Sequence, residues 1–429
     1  MHPNSYQIVI LLSYLSVTLF SYWLEWLNLR HLRKYGALVP PEFEGSIDSA
    51  ALEKARDYTV EKSRFGIIES VFGDFLAIIF LFGGLIDIYN NLIAGLGLPF
   101  VLSGTLFFLL LIYAKTMLSI PFDLYGTFRI ENKYGFNTMS ARLWIVDFVK
   151  SQLLTTILFA IVCVAALSLI RMSPDHWWFI VWLFFLVFSL FVMYLSPYVI
   201  EPLFHKFTPL GDETLEDSIR EVLNKAGIRI SRVFQMDASK RSRHTNAYFT
   251  GIGSVKRIVL FDTLLQKFDR DEIVSVLAHE AGHWKKKHVL KSIILTEVMS
   301  LIGLYVSYRV IKAGFIGSLF NIRHDTLYAD LLILAFIGGI ITVPLTPLAT
   351  FMSRRHEREA DRFGVEMTGN AEAAATALIK LSKDNLSNLH PHPLYAAFHY
   401  SHPPVVERVR EIRALAHAPG STGNDGQMI

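Results

Sequence analysis

The chain has 429 residues, 52% of them hydrophobic, and only 18% are charged, against about 25% in ordinary soluble domains. With a mean hydropathy of +0.37, that balance describes an integral membrane protein. A net charge of +3, with no basic patch interleaved with aromatics, argues against nucleic acid, and the single cysteine, Cys163, excludes intrachain disulfides and a thiolate metal site.

Seven stretches approach the roughly 20 apolar residues that cross a bilayer. They run from Tyr6 to Leu27, Gly66 to Ile88, Pro99 to Ile120, Leu153 to Leu169, Trp177 to Tyr198, Val289 to Ile311 and Tyr328 to Phe351. No basic segment precedes the first run and Glu25-Trp26 follows it, so it is expected to be a retained span. The connection after the first span carries Arg30, Arg33, Lys34, Lys54, Arg56, Lys62 and Arg64, and that after the third carries Arg129, Lys133, Arg142 and Lys150. Asn90 to Leu98 has no basic residue, and the connection after the fourth span has only Arg171. The positive-inside rule then places the N-terminus outside or lumenal and the odd-numbered connections in the cytosol. The membrane would be that of the endoplasmic reticulum in a eukaryote or the inner membrane in a bacterium.

The expected organisation is a five-span region over 1–200, a cytosolic segment over 201–288, two spans over 289–351, a second cytosolic segment over 352–416 and a disordered tail over 417–429. In the first cytosolic segment, Leu215, Ile219, Val222 and Leu223 have helical spacing, and Arg232–Met236 and Arg257–Phe261 read as strands. Between them, Arg241 to Gly253 is a polar turn leading into a short aromatic strand bounded by glycines. Asp269 and Glu272 form a capping-box pattern opening the next helix, which is expected to continue through Lys285-Lys286-Lys287 into the sixth span.

That helix carries H-E-x-x-H as His279, Glu280 and His283. One turn apart, the two imidazoles share a face and can reach one zinc ion, and Glu280, about 100° around the helix, can take a proton from a zinc-bound water. A third ligand is sought in S-R-R-H-E-R-E-A-D, just past the seventh span, where Glu357 and Asp361 share a helical face. Glu357 suits a ligand, and Asp361 an acceptor for a ligand imidazole N–H; the competing reading is a solvated helix with i,i+4 charge pairs. His356 has Ala360 where a second histidine would stand, and His288, five residues past His283, is expected at the membrane interface. Further on, Pro403-Pro404 fixes the backbone beside His402, which could donate to an oxyanion with Arg408 as a nearby positive charge. His390 and His392 read as surface residues.

At this point the chain resembles the type I CaaX prenyl endopeptidases, the integral-membrane zinc metalloproteases that include the a-factor-converting enzyme of yeast. The likeness spans nearly the whole chain. It rests on Pro121–Asn137 (P-F-D-L-Y-G-T-F-R-I-E-N-K-Y-G-F-N), His244–Gly251, Ile258–Leu265, Ser353–Asp361 and Tyr400–Arg408. The resemblance implies a polytopic all-α membrane protein whose seven transmembrane helices form a cage around a water-filled chamber, capped by a cytosolic gluzincin-like α+β zinc-protease domain. It implies one zinc ion held by His279, His283 and Glu357, with Glu280 as base, Asp361 behind the ligands, and His402 and Arg408 beside the reaction centre. Asn246, Ala247, Tyr248 and Phe249 would hold the substrate main chain by strand addition. Asp74 and Glu297, charged residues within spans, would face the chamber water.

The expected reaction removes the C-terminal tripeptide from prenylated CaaX polypeptides. Competing readings are a membrane-protein quality-control metalloprotease without a prenyl requirement, a non-proteolytic seven-span receptor or transporter, and a scaffold that retains the zinc site without catalysis. The heat-shock-induced membrane protease, which typifies the first, is shorter and lacks most of the N-terminal spans and the Pro121–Asn137 motif. The second has no use for a base at Glu280, and an intact Glu280 opposes the third.

Overall fold

The computed structural model describes residues 4–228, 230, 232–250 and 257–417. Gly251, Gly253 and the tail beyond His417 lie outside the described residues. Among the described residues, seven helices are long and apolar enough to cross a membrane, as the sequence leads one to expect. The first five are α1 (Ser5–Tyr35), α2 (Ser49–Phe82), α3 (Phe100–Tyr125), α4 (Ala141–Met172) and α5 (Trp177–Leu195). The apolar windows of the seven spans are buried over at most 22% of their residues. Few of their side chains are fully enclosed by protein. Cys163 is buried in α4 as a packing residue.

The second span departs from expectation. Gly84 takes a left-handed φ of 82°, so the helix stops at Phe82, and Leu85–Gly95 forms a separate helix. The apolar run from Gly66 to Ile88 passes straight through that corner, which hydropathy alone does not register. The α2 carboxylate Asp74 accepts hydrogen bonds from Tyr14, at 2.5 Å, and Tyr22, both on α1. Two phenols thus satisfy it within the helix pair. Glu297 instead lines a cavity of about 470 Å³ that extends to His283 and Glu357.

Outside the membrane segments a four-stranded sheet has the order β1-β2-β4-β3: β1 (Phe207–Pro209), β2 (Arg232–Met236), β3 (Ala247–Thr250) and β4 (Arg257–Phe261). β2 and β4 are parallel, and β3 runs antiparallel to β4 with Ala247 opposite Leu260, leaving β3 at the edge. One sheet face, with Val233, Ile258 and Leu260, packs on α6 (Glu213–Lys225) and α7 (Arg270–Lys285). The apolar stripe Leu215, Ile219 and Leu223 seals α6 against it. At the start of α7 the Asp269 N–H donates to Glu272 at 2.9 Å.

The sixth span, α8 (His288–Lys312), is not a continuation of α7. Lys287 adopts φ 56° and breaks the helix, where an uninterrupted run had been expected. The seventh span behaves oppositely. α9 (Leu327–Thr342) passes through one 3-10 turn at Val343–Leu345 into α10 (Thr346–Thr368), which carries Glu357 and Asp361. Pro344 removes a donor, and the tighter turn accommodates it within the span. Two further helices, α11 (Ala371–Asp384) and α12 (Val405–Ala416), close the domain over α7 and α10.

The crossing of α7 and α10 is unusually close because glycines face it. A Cβ on Gly282 would lie 2.9 Å from the Ala360 Cα, and one on Gly364 would lie 3.1 Å from the His279 amide nitrogen. Gly282→Ala is expected to force the helices apart and cost about 1–3 kcal/mol. A lowered unfolding midpoint in detergent with weakened metal retention would bear this out; an unchanged midpoint would contradict it.

Candidate active site

The close crossing sets the histidines of α7 against the carboxylates of α10. His279 Nε2 lies 3.2 Å from His283 Nε2 and 3.4 Å from Glu357 Oε2, and His283 Nε2 lies 3.2 Å from Glu357 Oε1. Tetrahedral zinc bound at about 2.0–2.1 Å spaces its ligand atoms roughly 3.3 Å apart, so this triangle has the right size. Glu357 is 4% exposed, and its Oε2 is buried without a hydrogen-bond donor. Glu280, Glu357 and Asp361 against Arg408 leave two net negative charges with the histidines neutral, the balance a divalent cation cancels. His279, His283 and Glu357 therefore fit a zinc ion in both spacing and charge.

The surroundings orient these groups. His279 Nδ1 donates to Asp361 Oδ1 at 2.8 Å, which leaves Nε2 as the atom facing the triangle, where a metal would displace its proton. Burial works against a charged His279, but Asp361 and Glu357 outweigh it and push the imidazole up to about 9. Arg408, on α12, makes a bidentate pair with Asp361 at 2.7 and 2.9 Å and lies 3.6 Å from Glu357. Burial pushes the Glu280 carboxyl up, and the two histidines oppose that shift. That moves it toward the range useful to a general base at neutral pH.

A cavity of about 200 Å³ brings together Asn246, Ala247, His279, Glu280, His402 and Arg408. The His402 side chain is 58% exposed, with Nε2 3.3 Å from Glu357 Oε1 and the Ser401 hydroxyl 2.9 Å from Nδ1. Tyr248 and Phe249 send their side chains elsewhere. The Tyr248 hydroxyl donates to Glu201 at 3.0 Å, and Phe249 packs into the core beneath the sheet. Only the main chain of these two residues remains for a ligand at the strand edge.

Some supporting residues are invisible to spacing arguments. The stretch before β3 is pinned by the third-span motif: the Arg243 N–H donates to the Phe136 carbonyl at 3.0 Å, and the Phe136 and His244 rings stack at 4.0 Å. His244 also meets Asn385 at 2.9 Å and Glu131 at 3.4 Å. His288 corrects an expectation. It is 3% exposed and turned into the protein at the start of α8, and its Nδ1 is 3.2 Å from His283 Nδ1.

Comparison with known proteins places this geometry. A family model described as CAAX prenyl protease N-terminal, five membrane helices, matches residues 28–206, and that of peptidase family M48 matches residues 209–416. The chain belongs to peptidase family M48. It is similar to CAAX prenyl protease 1 of Saccharomyces cerevisiae, at 33% identity over 95% of each chain. It is also similar to the human CAAX prenyl protease 1 homolog, at 32% identity over 93% of this chain and 95% of the other. The crystal structure of S. mikatae Ste24p superposes with a TM-score of 0.87 and 29% identity, covering 96% of this chain and all of that one. The M48 protein is thus a zinc-dependent, multi-pass membrane metalloendopeptidase with the polytopic helical fold and sheet-bearing protease domain read from its sequence.

Proposed function

We propose that this M48 protease removes the C-terminal tripeptide from prenylated CaaX polypeptides, cutting after the modified cysteine. The relatives named for CaaX processing support the substrate class. The observation that carries the reading is the cavity in which the start of an edge strand meets Glu280, His402 and His279, one corner of the His-His-Glu triangle. The cavity of about 470 Å³ takes in the other two corners, His283 and Glu357, and runs along α8 past Val289 and Glu297, where a lipid-anchored C-terminus is within reach. The positive-inside pattern supports a cytosolic catalytic domain with the N-terminus outside or lumenal.

His279, His283 and Glu357 would hold the zinc. When bound, zinc supplies a Lewis acid that polarises the scissile carbonyl and acidifies a water. The main chain of Asn246, Ala247, Tyr248 and Phe249 aligns an extended peptide by adding it to the sheet edge. Glu280 accepts a proton from the attacking water and returns it to the leaving amine. His402 donates a hydrogen bond to the oxyanion developing on the scissile carbonyl. Arg408 acts from behind: its guanidinium holds Asp361, and Asp361 holds the Nδ1 proton of His279.

Matched CaaX peptides with and without a farnesyl group test the proposal on purified, zinc-loaded protein. Cleavage of the farnesylated peptide after its cysteine, with little turnover of the bare one, is expected. Equal rates would overturn the prenyl assignment and leave a general membrane peptidase.

A further inference from the structure

We propose that His288 is a positioning residue for the zinc ligand His283, with Glu359 as its anchor. The inference rests on the zinc reading above and adds a residue that the H-E-x-x-H motif does not contain.

Three observations converge on His288. The left-handed backbone at Lys287 turns the chain between α7 and α8 and carries His288, the first residue of α8, back against His283. Left-handed lysine is uncommon and sterically disfavoured, so the surrounding structure must hold this turn. The imidazole it delivers is 3% exposed, with Nδ1 3.2 Å from His283 Nδ1 and Nε2 3.1 Å from Glu359 Oε2. Its ring also stacks on His356, with centroids 4.1 Å apart and planes 10° apart, which fixes its rotation.

With a metal on His283 Nε2, the hydrogen-bond chemistry allows one consistent arrangement. A carboxylate only accepts, so His288 Nε2 carries the proton and donates to Glu359. Neutral His288 therefore presents a lone pair at Nδ1, which accepts the Nδ1 proton of His283. His283 is left with its Nε2 lone pair facing His279 and Glu357, the tautomer a metal requires. Glu359 is steadied in turn by the Arg355 guanidinium, at 3.2 Å.

The relay parallels the one behind the other histidine. His279 leans on Asp361, which leans on Arg408; His283 leans on His288, which leans on Glu359, itself held by Arg355. Both supporting carboxylates come from α10, the helix that supplies the ligand Glu357. One helix thus donates a ligand and fixes the tautomers of the other two. A histidine buried only for packing would not need this pattern of donors and acceptors.

The test uses the full-length protein in detergent. Zinc affinity is measured by competition with a chromophoric chelator, and the ligand field by the visible spectrum after cobalt(II) substitution. His288→Leu keeps bulk but removes the acceptor; zinc affinity is expected to fall about 10–100-fold with a perturbed cobalt spectrum. His288→Asn restores an acceptor at the δ position and is expected to recover most of both. His288→Leu protein with wild-type zinc affinity and cobalt spectrum would overturn the inference. Equal loss in the Leu and Asn variants, in step with a lowered unfolding midpoint, would also overturn it by showing a packing role alone. Wild-type protein that binds no zinc would instead overturn the centre on which the inference rests.

Discussion

Glu280→Gln is expected to leave zinc bound at one ion per chain and to lower the rate of peptide hydrolysis by at least 10²–10⁴-fold, the range typical of a lost general base. That range corresponds to about 2.7–5.4 kcal/mol of transition-state stabilisation. Glu280 is not a member of the His279–His283–Glu357 triangle, so the amide should not disturb the metal. Glutamine is nearly isosteric and can still donate a hydrogen bond, but it cannot take a proton. Burial of the site, which pushes the Glu280 carboxyl up, is part of what suits it to proton transfer near neutral pH. Zinc content measured beside turnover separates the two effects. Full activity in the metal-loaded variant would sink the proposed mechanism, and loss of zinc with activity would make Glu280 a structural member of the centre.

Arg408→Met should have the largest effect on stability. The guanidinium is buried between Asp361 and Glu357, with side-chain exposures of 11%, 9% and 6% for the three residues. Removing one partner of a buried ionic network strands the rest, at about 3–5 kcal/mol. The apoprotein should lose most, because zinc ligation of Glu357 would itself compensate one of the abandoned carboxylates. Unfolding midpoints with and without zinc measure both quantities. Adding Asp361→Leu should recover part of the loss in the apoprotein while weakening zinc binding further, because His279 then loses its acceptor. Equal midpoints for wild type and Arg408→Met would contradict the account.

How much of this was legible in the sequence depends on how local the cause is. Helical periodicity alone suggests that His279 and His283 share a face and that Glu357 and Asp361 share another, and the fold brings those faces together. Hydropathy counts the spans because lipid imposes composition over about 20 residues. It misplaces the end of the second, because one left-handed glycine, Gly84, ends the helix without interrupting the apolar run. His288 is hidden for a similar reason: three consecutive lysines read as an interfacial helix, whereas Lys287 reverses handedness and folds the next residue back onto the site. The support of His244 by Phe136, Asn385 and Glu131 joins segments more than 100 residues apart, so no local pattern could announce it. Gly282 and Gly364 lie between these cases, since each stands within a motif but acts through the partner helix it admits.

The central claim is one zinc ion held where α7 crosses α10. Diffraction from crystals of the active protein at energies on both sides of the zinc absorption edge tests it most directly. The account predicts one anomalous peak per chain, about 2.0–2.2 Å from His279 Nε2, His283 Nε2 and a Glu357 carboxylate oxygen. A peak elsewhere, or none in protein that cleaves peptides, would contradict it.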